Sequence, residues 1–264
     1  MFRAEWFEDS QPLMSMKLFA ELNREQIRAL APDSLVVLPI GATEQHGPHL
    51  ATGMDYFTVE WLARQAATVA SAQIPIIVTP ALPFGSSHHH FVFGGTMSLR
   101  TETYYRVLYE LVESLVRDGF TRIFLLNGHG GNVELAQLAV RDIVLEHPVR
   151  AAAGSYWTMA WDALVRAEAH RGRGLPGHAG DFETSLMLAL QPQLVDADRP
   201  HRDAPADTDP RGAKSTFRDE RFGAWKEIGG YTDSPAQANA DRGKLFLDVI
   251  VQAVAEMWVN YYKS

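Results

Sequence analysis

The sequence contains no cysteine, which excludes disulfide frameworks and thiolate zinc sites. Any metal ion must therefore be held by oxygen and imidazole nitrogen. No apolar run approaches the roughly 18 residues that a membrane-spanning helix needs. The opening stretch, MFRAEWFEDSQPLMSM, scatters charges where an export signal keeps an apolar core. A soluble, cytoplasmic protein is expected, and the missing thiols fit a reducing cytosol. Basic blocks are missing too. With a formal net charge of -8, the chain offers no electrostatic footprint for nucleic acid or an anionic membrane. Small molecules are the expected partners. Repeats, low-complexity tracts and linkers are likewise lacking, so residues 1–264 read as a single domain.

What is there is an alternation of apolar strands with helical patterns. Residues 17–30 carry apolar side chains at helical spacing and are stopped by Pro32. Leu35–Ile40 is a β-prone run that ends in Gly41, and residues 56–70 return to helical period with Val59, Leu62, Ala63 and Ala66 on one side. Strands are expected at 74–82, 122–126 and 149–156, with helices at 101–118 and Val133–Glu146 between them. A mixed helical stretch at 157–169, an irregular glycine-rich segment at 171–177 and a buried helix at 186–190 follow. Residues 192–230 are polar and read as an excursion over the surface or across a subunit neighbour. Residues 236–262 close the chain as a helix, with Leu247, Val251, Val254 and Trp258 on one face. This order predicts an α/β fold whose mainly parallel central sheet is covered on both faces.

The strongly polar loops follow the strands, at the edge where open α/β sheets place ligands. The first, GATEQHGPHLATGMD, offers Glu44, His46, His49 and Asp55 with no lysine or arginine among them, a composition suited to a divalent cation. Side chains two apart on extended backbone, such as Glu44 and His46, can converge on one centre. Asp55 reaches it from the next helix start, where an aspartate is equally a plain N-cap. His129 sits between Gly128 and Gly130 in NGHGGN, which reads as a histidine brought close by its glycines, a flexible turn or a phosphate cradle. It lacks the P-loop ending and the dinucleotide spacing. Of His88, His89 and His90, on extended backbone at most two can face one ion, and they can serve substrate instead. Glu183 opens an apolar helix, where a carboxylate also complements the helix dipole. His178 lies on a glycine-bounded loop with no apolar character to bury it.

Taken together, GATEQHGPHL with Asp55, Gly94-Gly95-Thr96, NGHGGN at 127–132 and HAGDFETS at 178–185 resemble the creatininase (creatinine amidohydrolase) family, in order and spacing from about residue 15 to 260. The resemblance implies a three-layer α/β sandwich and a site for two divalent metal ions, Zn or Mn with Fe also used. It further implies a homo-oligomer, a hexamer, and hydrolysis of a C–N bond in a small amide of the cyclic amide, lactam or formamide type. Carried over by residue, Glu44 and His129 hold one ion, His46 the other, and Asp55 bridges both. Creatininase has Tyr and Glu where this chain has Gly130 and Gly131, so Glu183 takes over as a second-site ligand and a member of the catalytic set. His178 is the implied proton donor, and Trp157, His90 and Gly130 are the implied substrate contacts. Gly174 stands where creatininase has a substrate-covering Trp, so the resemblance does not extend to creatinine as substrate. Water bridging the two ions would ionise near neutral pH and attack the amide carbonyl, while His178 protonates the departing nitrogen. The same family includes a peptidase acting on a modified peptide. A non-catalytic metal- or phosphate-binding assembly protein is the reading outside it.

Overall fold

A computed structural model of the chain describes residues 15–169, 175–203 and 221–264. Gly174 and residues 204–220 of the expected excursion lie outside them. The described chain runs β1 (Lys17–Leu18), α1 (Arg24–Leu30), β2 (Leu35–Ile40), α2 (Met54–Ala70), β3 (Ile76–Val78), α3 (Thr101–Arg117), β4 (Arg122–Asn127), α4 (Val133–Glu146) and β5 (Arg150–Ser155). It continues through α5 (Tyr156–Met159), α6 (Trp161–Arg166), α7 (Asp181–Leu190), α8 (Ala224–Glu227) and α9 (Ala240–Lys263). The five strands form one sheet in the order β1-β3-β2-β4-β5, and every pairing is parallel.

All six residues of β2 are buried, because a central parallel strand is covered on both faces. The two-residue period of the strands then divides the core. Leu35, Val37, Ile76, Val78, Phe124 and Leu126 pack with apolar residues of α2, α5, α6, α7 and α9 on one face. Val36, Leu38, Ile40, Ile77, Ile123 and Leu125 pack with α3 and α4 on the other, and Ile27 and Leu30 of α1 lean against that core. The result is the expected three-layer α/β sandwich. β2 is flanked by β3 on one side and β4 on the other, so the winding reverses beside β2. The carboxyl ends at such a reversal leave a crevice, the usual ligand position in this architecture.

Several boundaries differ from the sequence expectation. Residues 17–18 join the sheet edge beside β3, and α1 starts at Arg24, where Asn23 and Gln26 form a reciprocal capping box. The second strand shrinks to Ile76–Val78, since Pro75 and Pro80 carry no N–H for a ladder. Its partnership with β2 resumes only at Leu82, which donates to the Pro39 carbonyl and accepts from the Gly41 N–H. Residues 88–93 form a 3₁₀ turn, not extended backbone. The stretch at 157–169 breaks into α5 and α6 at Ala160, and the buried helix begins five residues early, at Asp181.

Candidate metal centre

β2 and β4 end side by side, with Ile40 opposite Asn127, so the loops that follow them start as neighbours. Asn127 fixes the second loop from within. Its amide donates to the His129 carbonyl at 2.7 Å and to Ser155 Oγ at 2.9 Å, while its oxygen accepts from the His129 N–H at 3.1 Å. Asn132 ties that loop to the first by donating to the Gly41 carbonyl at 3.0 Å. α2 brings Asp55 in its first turn and α7 brings Glu183 in its own. Gly131 permits the closest approach. A Cβ there would collide with the Ser86 carbonyl and lie 2.5 Å from His129 Nε2. A side chain at that position would force the loop to shift, and a third carboxylate reaches the cluster from Glu183 of α7.

Asp55 stands at the middle. One carboxylate oxygen is 3.2 Å from His46 Nε2 and the other is 3.1 Å from His129 Nδ1. Glu44 Oε1 is 3.2 Å from the same His129 nitrogen, and Glu183 Oε2 is 3.8 Å from His46 Nε2. These spacings bracket the roughly 3.4 Å edge of a tetrahedron of donors about 2.1 Å from one ion. His46, Asp55 and Glu183 form one triad able to converge on an ion, Glu44, His129 and His89 a second, and Glu44, His46 and His178 a third between them. Beyond those charge-paired contacts, both oxygens of Glu44, His46 Nε2 and Asp55 Oδ2 are buried and make no hydrogen bond. Polar atoms in that state cost stability unless something else satisfies them. The donor set, carboxylates with imidazoles and no thiolate, fits Zn²⁺ or Mn²⁺.

The electrostatics agree. Burial opposes a charge on His46, but Asp55, Glu183 and Glu44 outweigh it and lift its pKa to about 10. Burial opposes charge on His129 as well, and Glu44 with Asp55 again raises it to about 10. Glu44 would be pushed up by desolvation, yet the facing His129, His90 and His178 hold it well below the usual carboxylate range. A cluster this avid for protons is avid for other cations. His90 is different: burial dominates and lowers it to about 2, so it stays neutral.

Glu44, His46, Asp55, His129, Glu183 and His178 thus gather in one place, all at most 5% exposed. Asp55 is not the N-cap; Gly53 holds that position, and the Asp55 side chain faces the histidines. His49 leaves the cluster and hydrogen-bonds Thr184 Oγ1 at 2.9 Å, a plain tie between the first loop and α7. His88 turns away to Ser98 Oγ at 2.7 Å. Trp157, His90 and Gly130 line the same small cavity as Glu44, Asp55 and Glu183. Of the three consecutive histidines His89 also faces the site, and sequence reasoning missed two further residues, Gln45 and Trp225. His89 stands at the mouth, its ring parallel to that of His129 at 6.1 Å. Gln45 touches both His90 and His178. Trp225 packs edge-on against His90 at 4.7 Å and His178 at 5.2 Å. Its stretch, read as a surface excursion, returns to wall the site, and no periodicity announces that.

An open parallel α/β sheet with carboxylates and imidazoles converging at its winding reversal defines a metal-dependent hydrolase class of site. The family profile described as creatinine amidohydrolase matches residues 20–258. Creatinine amidohydrolase of Pseudomonas putida is 32% identical over 248 residues, 88% of this chain and 91% of that protein. Mycofactocin precursor peptide peptidase of Mycobacterium ulcerans (strain Agy99) is 32% identical over 169 residues, 62% of this chain and 61% of the other. A solved creatininase in its Mn form superposes with a TM-score of 0.74 at 29% identity, covering 92% of this chain and 97% of that one. A creatininase variant of Zn-Zn type gives 0.73 at 29% identity over 91% and 96%. The chain belongs to the creatininase family, enzymes that hydrolyse carbon–nitrogen bonds.

Proposed function

We propose that this protein is an amidohydrolase of small amides, of the cyclic amide, lactam or formamide type, working with two divalent ions, Zn²⁺ or Mn²⁺, with Fe also admissible. The observation that carries the reading is Asp55, whose two oxygens face two different buried imidazoles. In this reading Glu44 and His129 hold one ion, His46 and Glu183 the other, and Asp55 is shared. Bound there, the pair supplies Lewis acidity and lowers the pKa of water towards neutrality.

The chain's own residues do the rest. His178, 5% exposed, stacked 4.3 Å from His90 and tilted 4.4 Å from His46, stands where it can receive a proton and return it to the departing nitrogen. An amide nitrogen leaves poorly until it is protonated, so this transfer is the step that His178 serves. Trp157, itself 6% exposed, and Gly130 border the remaining space, with neutral His90 as a hydrogen-bonding wall for substrate. Gly130 borders the cavity without a side chain where creatininase carries a tyrosine, and this departure favours a substrate other than creatinine. Residues 1–264 act as one amidohydrolase domain in the cytoplasm. Homo-oligomeric assembly, a hexamer by family resemblance, is supported by Phe91, Val92 and Met97, half or more exposed on one segment; sedimentation of the purified protein decides it.

The test is metal analysis of the purified protein, then a screen of lactams, formamides and small peptides with Zn²⁺ or Mn²⁺ restored. His178→Ala should keep the metal and lose about 10²- to 10⁴-fold in turnover, the usual contribution of a positioned acid–base group. Cleavage of peptides alone would move the protein to the peptidase branch of the family. A chain without metal and without turnover in any class would refute the reading.

A further inference from the structure

Gln45 lies between Glu44 and His46 but points the other way, into a knot of polar atoms behind His90 and His178. Its side-chain oxygen accepts from the Gly47 N–H at 2.9 Å. That contact orients the amide, because an N–H cannot face the NH₂ end. The nitrogen then has two hydrogens and three neighbours: the Gly230 carbonyl at 3.0 Å, His90 Nδ1 at 2.9 Å and His178 Nε2 at 3.0 Å. The Gly230 carbonyl is an acceptor only and takes one hydrogen. Two ring nitrogens compete for the other.

The competition is settled by the backbone. His178 Nε2 is also 2.9 Å from the Gln45 main-chain carbonyl, which can only accept. That ring nitrogen is therefore an N–H, and an N–H cannot also receive the amide hydrogen. The second amide hydrogen goes to His90 Nδ1, which must carry a lone pair. His90, neutral, then bears its proton on Nε2, directed at Glu44 Oε1 3.5 Å away. His178, with Nε2–H committed to the Gln45 carbonyl, keeps its lone pair on Nδ1, the nitrogen 3.7 Å from Glu44 Oε1.

We propose that Gln45 is the positioning residue that sets the hydrogen-bonding sense of two site histidines, assigning Nε2–H to both and turning the Nδ1 lone pair of His178 towards Glu44. Resting on the amidohydrolase reading for its consequence, it adds which atom carries the proton and what holds the ring in that orientation. The arrangement is local to the chain and does not require the ions. Residues 45 and 47 come from the loop after β2, and Gly230 from the segment carrying Trp225, so the amide also pins that wall against the site.

Long-range ¹H–¹⁵N spectra of the full chain labelled with ¹⁵N-histidine, before and after Zn²⁺ addition, read the tautomers directly. His90→Gln and His178→Gln variants assign the signals. Nε2–H at both rings is expected. Nδ1–H at His90 or at His178 in the wild type would overturn the proposal. Gln45→Glu puts acceptors where the amide donates and should shift His90 to Nδ1–H. Gln45→Met removes the hydrogen bonds and should let His90 sample both forms, with kcat falling about 10- to 100-fold, as for lost outer-shell partners of catalytic groups, and KM held within a few-fold. Unchanged kcat in both variants would also overturn it. Tautomers as expected in a chain that takes up none of Zn²⁺, Mn²⁺ and Fe²⁺ would sink the amidohydrolase reading and leave this assignment standing.

Discussion

Asp55 links the two sides of the cluster because its two carboxylate oxygens face different imidazoles. Each of its oxygens lies within 3.2 Å of a different imidazole, so removing its charge affects both halves of the centre. Asp55→Asn keeps the shape and halves the acceptor capacity. Metal content measured on the purified variant is expected to fall by at least one equivalent relative to wild type, while Glu183→Gln, which touches the His46 half only, should lose the ion of that half alone. Full occupancy in Asp55→Asn would show that the carboxylate is not a shared ligand. Glu183 is itself held by a hydrogen bond that its Oε2 accepts from the Ala179 N–H at 2.6 Å, which points its carboxylate towards His46 before any ion arrives.

At the scale of elements, the position of Glu183 depends on how closely α7 approaches α9. Gly243 in α9 lies against the Ser185 carbonyl of α7, where an added Cβ would clash with backbone. In an exposed helix interior a glycine-to-alanine change gains roughly 0.5–1 kcal/mol. Here the overlap is with backbone that cannot swing aside, and overpacking of that kind costs about 1–3 kcal/mol, so the clash wins. Gly243→Ala is expected to lower the urea midpoint and to weaken metal retention together, because pushing α7 away moves Glu183. The N-terminus of α7 is anchored independently: the Asp181 N–H donates to Asp233 Oδ1 at 2.5 Å, and Arg242 of α9 donates to both oxygens of Asp181 at 2.9 Å. A variant that loses stability but holds its metal would show that this anchor suffices.

For the whole molecule, the site sets how stability responds to pH and to chelation. His46 and His129 have folded pKa values of about 10, above the roughly 6.5 of an unfolded histidine. Their contribution is full below pH 6.5 and is lost as pH rises through 10. His49 and His90 run the other way. Burial lowers them to about 4 and about 2, so they favour folding above pH 6.5 and oppose it as pH falls. The chelated chain should therefore be most stable near pH 6.5 and lose on the order of a few kcal/mol towards pH 10. Restoring Zn²⁺ should raise stability and flatten the alkaline arm, since the ions replace the protons. Urea midpoints across pH 4 to 10, with chelator and with Zn²⁺, test this; an alkaline arm that is flat in chelator would contradict it. Among the described residues no helix is long and apolar enough to cross a membrane.

Much of this was legible in the sequence because it is written in short-range pattern. The all-buried run Leu35–Ile40 announced the central strand, and the alternation of strand and helix announced the parallel sheet. Glu44, His46, Asp55 and His129 could be named in advance since each follows a strand, and parallel strands deliver their trailing loops to one edge. What local pattern cannot carry is who meets whom across the fold. That Gln45 faces His90 and His178, that Trp225 returns to wall the site, and that His49 turns to Thr184 are decided by side chains far apart in sequence. The chain by itself determined the strands, the layers and the chemical inventory of the rim. Only the tertiary structure decided how that inventory is aimed, because directions in a loop are set by packing and hydrogen bonds that no periodicity encodes.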